Sequence, residues 1–122
     1  MTIVLLATDS DHLFGDVDAT LASDDTDVLR VRAGADVLPV CQRKCPDLVI
    51  LDLQIGNMGG MATSLLIKQE ARAGRLPEAP VLLLLDREAD EFLATQSDAD
   101  GWILKPLDSL RLRRAAENLV DA

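Results

Sequence analysis

Short unbroken apolar runs alternate along the chain with longer stretches in which apolar residues recur every three or four positions. Ile3-Val4-Leu5-Leu6-Ala7 shows no polar alternation, as a strand buried on both faces requires. Thr8-Asp9-Ser10-Asp11 follows, rich in helix-capping residues, and Leu13, Phe14, Val17 and Leu21 then fall at helical spacing. Val28-Leu29-Arg30-Val31 reads as a second strand, less apolar and suited to an edge. Gly34 opens a helical stretch to about Lys44, in which Pro39 is acceptable only within the first turn. Leu48-Val49-Ile50-Leu51 is a third strand ending on Asp52, and the glycines of Gly56-Asn57-Met58-Gly59-Gly60 make the next segment a loop. A helix over Met61 to Ala73 is stopped by Gly74. Val81 to Leu85 is the fourth strand, Arg87 to about Ser97 a helix, and Gly101 to Leu104 the fifth strand, ending at Lys105-Pro106. Leu107 to Val120 is the last helix, with Asp108 as its cap and Leu110, Leu112, Ala115, Ala116 and Leu119 as its apolar positions. Strict strand–helix alternation, five of each, predicts one α/β domain over residues 1–122: a (βα)5, doubly wound parallel sheet with right-handed crossovers.

Composition sharpens this picture at a few points. At 48% hydrophobic, the chain can fill one core and is too apolar for disorder. Phe14, Phe92 and Trp102 are its only aromatics, so the core is aliphatic. A net charge of −9 argues against contact with nucleic acid, whose phosphates would repel it. Cys41 and Cys45, four apart, would share a helix face as two reduced, half-buried thiols; the spacing is not that of a redox pair. No basic segment precedes the first apolar run, which is too short for a signal or membrane segment, so no membrane contact and a cytoplasmic location are expected.

In open parallel sheets ligands bind beyond the carboxyl ends of the strands. Asp9 follows the first strand, Asp52 ends the third and Lys105 ends the fifth. Taken singly, Asp9 reads as a helix cap, Asp52 as a turn residue and Lys105 as an exposed lysine. Together they form a set in which two carboxylates, relieved by an ammonium or a hard divalent cation such as Mg²⁺, present a phosphoryl acceptor.

The chain resembles, over its whole length, the receiver domain of two-component response regulators. The likeness rests on Pro46-Asp47-Leu48-Val49-Ile50-Leu51-Asp52 and on Asp100-Gly101-Trp102-Ile103-Leu104-Lys105-Pro106. It implies a flavodoxin-like strand order of 2-1-3-4-5. It further implies Asp52 as phosphoacceptor, Asp9, Asp52 and the main-chain carbonyl of Gln54 as Mg²⁺ ligands, and Lys105 as the phosphoryl contact, with Pro106 following it through a cis bond. Trp102 takes the aromatic switch position. Partners would be a histidine kinase or phosphotransfer protein upstream and a protein partner downstream, and a homodimer is left open.

The departures from the family pattern are specific. The first of the two adjacent acids after strand one is Thr8, which weakens the Mg²⁺ site; Asp11 is a candidate substitute lying further along. The hydroxyl residue that ends strand four, and the small residue after it, are replaced by Leu85 and Asp86. Leu85 cannot hydrogen-bond, and Asp86 would compete for Lys105. The stretch from Leu85 to Lys105 is about two residues short, which would distort or abbreviate helix four. Two functions follow: a single-domain receiver phosphorylated on Asp52, or a pseudo-receiver that binds partners without phosphorylation. An enzyme is disfavoured. Gln54 stands where an aspartyl phosphatase needs its general acid, the loop after strand one is too acidic for a phosphate cofactor, and His12 is the sole histidine.

Overall fold

Two helical layers sandwich a sheet whose strands send alternate side chains to opposite sides. The computed structural model describes residues 1–121. Its elements are β1 (Thr2–Ala7), α1 (Asp11–Leu21), β2 (Thr26–Val31), α2 (Val37–Lys44), β3 (Leu48–Asp52), α3 (Gly60–Arg72), β4 (Val81–Leu85), α4 (Glu91–Gln96), β5 (Gly101–Leu104) and α5 (Ser109–Asp121). The five strands are parallel, in the order β2-β1-β3-β4-β5. This is the doubly wound arrangement and the strand order expected.

Leu5, Ala7, Val49, Leu51, Leu83 and Leu85 face one layer, where they meet Val37 and Cys41 of α2, Ile67 of α3 and Ala94 of α4. Val4, Leu6, Leu48, Ile50, Leu82 and Leu84 face the other, against Leu13 and Val17 of α1 and Leu112 and Ala116 of α5. Both faces of β1, β3 and β4 are covered, so their apolar runs have no polar interruption. Each fully buried leucine or valine contributes about 1.5–3 kcal/mol relative to exposure.

Several boundaries differ from the sequence reading. The stretch from Gly34 divides into a 3-10 turn, Gly34–Asp36, and α2 proper, which puts Pro39 in the first helical turn. Cys45 lies past α2 in the left-handed region (φ 46°) and is exposed while Cys41 is buried, so the two thiols do not share a helix face. Gly74, at φ +78°, follows α3 as expected of a helix-stopping glycine. The segment from Arg87 becomes a 3-10 turn, Glu88–Asp90, and a six-residue α4, the abbreviation that the short spacing predicts. Asp108 Oδ1 accepts the amides of Leu110 (2.9 Å) and Arg111 (3.3 Å), as a cap should. Leu110 itself is exposed rather than part of the apolar face of α5, whose buried positions are Leu112 and Ala116.

Two tertiary contacts fasten the connecting loops, one at each end of the sheet. Gly34 and Ala35 donate their amides to the carbonyls of Gly56 (3.0 Å) and Asn57 (2.7 Å), fastening the turn before α2 to the loop after β3. The approach is so close that a Cβ on Gly34 would lie 1.7 Å from the Met58 carbonyl oxygen. At the other end of the sheet, buried Lys68 of α3 donates to Asp100 Oδ2 (2.5 Å) and to the Ala79 carbonyl (3.1 Å). The same Asp100 oxygen accepts the Val81 amide at 2.7 Å, so one ion pair joins α3 to the starts of β4 and β5. Among the described residues no helix is long and apolar enough to cross a membrane.

Candidate functional site

The register of the central strands assembles the site. Ala7 pairs with Leu51, and Asp52 pairs with Leu84, so the residues leaving β1 and β3 emerge side by side. The Lys105 amide donates to the Leu85 carbonyl at 2.8 Å, which extends the β4–β5 pairing to the lysine. Three side chains from separate strand ends therefore meet. Asp52 is buried, at 4% exposure. Its Oδ1 accepts the Lys105 ammonium at 2.8 Å and the Gln54 amide at 3.2 Å; its Oδ2 accepts the Thr8 hydroxyl at 2.9 Å. Two members of the strand-end set, Asp52 and Lys105, are thus in contact although separated by 53 residues.

Thr8 is fully buried, and the bond direction of its hydroxyl is set by its neighbours. Its Oγ1 accepts the Ser10 amide at 3.1 Å, which leaves its own proton to Asp52. The Arg30 guanidinium donates to the Thr8 carbonyl at 3.0 Å and stacks over the Phe14 ring, 5.2 Å from its centroid. The direct bond from Thr8 to Asp52 escapes the sequence reading, in which threonine registers only as a missing acid. The signal available was register: both apolar runs end one residue short of a polar side chain.

Asp9 is exposed. It does not cap α1, because Ser10 takes that place, its Oγ accepting the Leu13 amide at 3.1 Å. Asp11 does not join the group around Asp52. Its Oδ1 is held by Arg30 (2.7 Å) and Arg32 (2.9 Å), and these two guanidinium hydrogen bonds keep its carboxyl below the usual range. That engagement turns Asp11, the candidate substitute for a missing acid, towards two arginines.

Asp86 lies where the competition with Asp52 was expected. The Lys105 ammonium reaches Asp86 Oδ1 at 3.0 Å as well as Asp52 Oδ1 at 2.8 Å. Burial alone would depress the Lys105 ammonium, but the hydrogen bonds it donates to Asp52 and then to Asp86 outweigh this and raise its pKa. Leu85, fully buried, contributes only packing. Trp102 is partly buried and packs on the α2–α3–α4 side of the sheet, paired across the strands with Leu83. The Lys105-Pro106 peptide is cis.

Asp52 Oδ2 gives only one of its lone pairs to Thr8, so this carboxylate keeps acceptor capacity of the kind that suits a hard divalent cation. Among the described residues no three His, Cys, Asp or Glu side chains gather into a metal cluster.

Comparison with known proteins places this geometry in context. The family model for the response regulator receiver domain matches residues 4–117. The nitrate/nitrite response regulator protein NarL of Escherichia coli (strain K12) is 28% identical over 96 residues, covering 79% of this chain and 43% of that protein. The chain spans less than half the length of the curated relatives it matches. Among solved structures, the signal receiver domain of a signal transduction histidine kinase from Syntrophus aciditrophicus superposes with a TM-score of 0.88. It is 24% identical, over 99% of this chain and 91% of that one. The receiver domain of the sensor histidine kinase PA1611 from Pseudomonas aeruginosa PAO1, solved with a magnesium ion coordinated in its active-site cleft, gives a TM-score of 0.85. It is 19% identical, over 99% of this chain and 98% of that one.

Proposed function

The chain belongs to the response regulator receiver family, and on that footing we propose that Asp52 accepts a phosphoryl group from a histidine kinase or a phosphotransfer protein. The observation that carries the proposal is the buried Asp52 carboxylate held 2.8 Å from the Lys105 ammonium at the carboxyl rim of the sheet. A carboxylate oxygen attacks phosphorus of a phosphohistidine: an O–P bond forms, the N–P bond breaks and the imidazole departs. Lys105 supplies positive charge for the incoming group, and Thr8 holds the carboxylate oriented. Mg²⁺, held by Asp9, Asp52 and the Gln54 carbonyl, would neutralise charge on the phosphoryl oxygens when bound. The whole chain, residues 1–122, acts in this reading as one cytoplasmic receiver unit whose output is contact with a protein partner, in keeping with a net charge of −9 that disfavours polyanions.

The test is incubation with acetyl phosphate and Mg²⁺, followed by intact-mass spectrometry. A mass gain of one phosphoryl group, absent from Asp52→Ala, is expected. An unchanged mass at millimolar Mg²⁺ would sink the reading.

One observation favours a second reading, a pseudo-receiver that binds its partner without phosphorylation. Asp86 shares the Lys105 ammonium at 3.0 Å, and Leu85 offers no hydroxyl to a phosphoryl group. Under that reading Asp52→Ala leaves partner binding intact.

A further inference from the structure

The segment from Leu85 to Gln96 is held to the site by Asp86, an acid, and its sign sets the direction of any switch. Asp86 Oδ1 lies 3.0 Å from the Lys105 ammonium, which at the same time holds Asp52 at 2.8 Å. The next residues are fastened to one another: Arg87 donates its amide and its guanidinium to buried Asp90, at 3.2 and 2.9 Å. The short α4 that follows buries only Ala94 and leaves Phe92 70% exposed and Leu93 39% exposed. The contact between Asp86 and Lys105 is thus a tether between the α4 segment and the acceptor.

We propose that this tether works in the opposite sense to a hydroxyl: it is closed in the unmodified chain, and phosphorylation of Asp52 opens it. The inference rests on the reading of Asp52 as the acceptor. An aspartyl phosphate carries about two negative charges where the carboxylate carried one, and it adds three acceptor oxygens. Lys105 then faces a stronger anion than Asp86, and Asp86 becomes a like charge beside it. Neither Leu85 nor Asp86 carries a side-chain donor that would draw the segment towards the new oxygens. The Asp86 side chain is 37% exposed, so it can turn to water without disturbing the core. Phosphorylation therefore loosens the connection and the segment that presents Phe92 and Leu93, rather than drawing it in.

Hydrogen exchange with and without beryllofluoride plus Mg²⁺ tests this, with ¹⁹F NMR reporting attachment at Asp52. Attachment should speed exchange of the Arg87 to Gln96 amides by about two- to fivefold, the change that a part-exposed ion pair supports. Asp86→Asn should speed the same amides in the unmodified protein, and attachment should then add little. Attachment with slowed or unchanged exchange overturns the inference while leaving Asp52 as acceptor. Attachment to Asp86→Asn alone also overturns it, since the tether would then never open. No attachment to either protein removes the acceptor reading and the inference together.

Discussion

Thr8 and Lys105 restrain opposite oxygens of one carboxylate, and the two restraints differ in kind. Lys105 supplies charge; Thr8 supplies a neutral hydrogen bond whose direction is set by the Ser10 amide. Thr8→Val keeps the shape of the side chain and removes the bond. Under the proposed function, phosphoryl uptake from acetyl phosphate should slow by about three- to tenfold, the scale of one buried hydrogen bond, and Thr8→Ser should restore it. Stopped reactions read by intact mass check this. The two cysteines give a second residue-scale prediction. Burial, with Cys45 nearby, pushes the Cys41 thiol up to about 11, whereas Cys45 is exposed. Iodoacetamide at pH 8 should modify Cys45 first, and urea should bring Cys41 to a similar rate. Peptide mapping of the alkylated protein distinguishes the two sites.

At the scale of elements, most of the fold was legible and most of the contacts were not. Continuous apolar runs identified β1, β3 and β4, because a strand covered on both faces has no room for polar alternation; β5, half-buried at the edge, was read from its short apolar run before Lys105-Pro106. The mixed composition of β2 matched its place at the edge. Helix starts were less clear, since local capping competes with the apolar period: α5 begins at Ser109 behind the Asp108 cap, leaving Leu110 exposed despite its apolar character. Asp52, Lys105 and Asp86 were readable because each ends or follows a run. The Thr8 bond and the Lys68–Asp100 pair were hidden, since both depend on register between segments far apart in the chain. Removing the partner of Lys68 should be felt. Asp100→Ala leaves a buried ammonium and the Val81 amide short of an acceptor, and a loss of about 1–3 kcal/mol in urea unfolding is expected. Gly34→Ala sets a methyl group 1.7 Å from the Met58 carbonyl oxygen, so the loop after β3 must shift; a loss of about 1–3 kcal/mol is expected there as well.

For the whole molecule, the paired acids and bases set a pH window for stability. Arginine hydrogen bonds lower Asp11, Glu70 and Asp90, so their stabilisation is present above the unfolded carboxylate values of 3.8 to 4.5 and is lost as pH falls through the folded ones. Asp11 sits at the surface, so its share is small. Cys41 is raised from 9.0 to about 11, so the unfolded chain releases that proton first and stability declines over that interval. The raised Lys105 acts in the same direction: its stabilisation is full below 10.5 and fades as the folded lysine deprotonates. Thermal melts followed by circular dichroism should show a plateau from about pH 4.5 to 9, with a lower midpoint on either side.

The meeting of Thr8, Asp52 and Lys105, whose bonds span 44 and 53 residues, gives the order of synthesis a consequence. A ribosome-bound chain displays its aspartate long before the lysine is made, and only the finished fifth strand supplies the counter-charge. Under the proposed function, arrival of the fifth strand, more than the emergence of residue 52, therefore marks the earliest moment at which the acceptor carboxylate has its counter-charge.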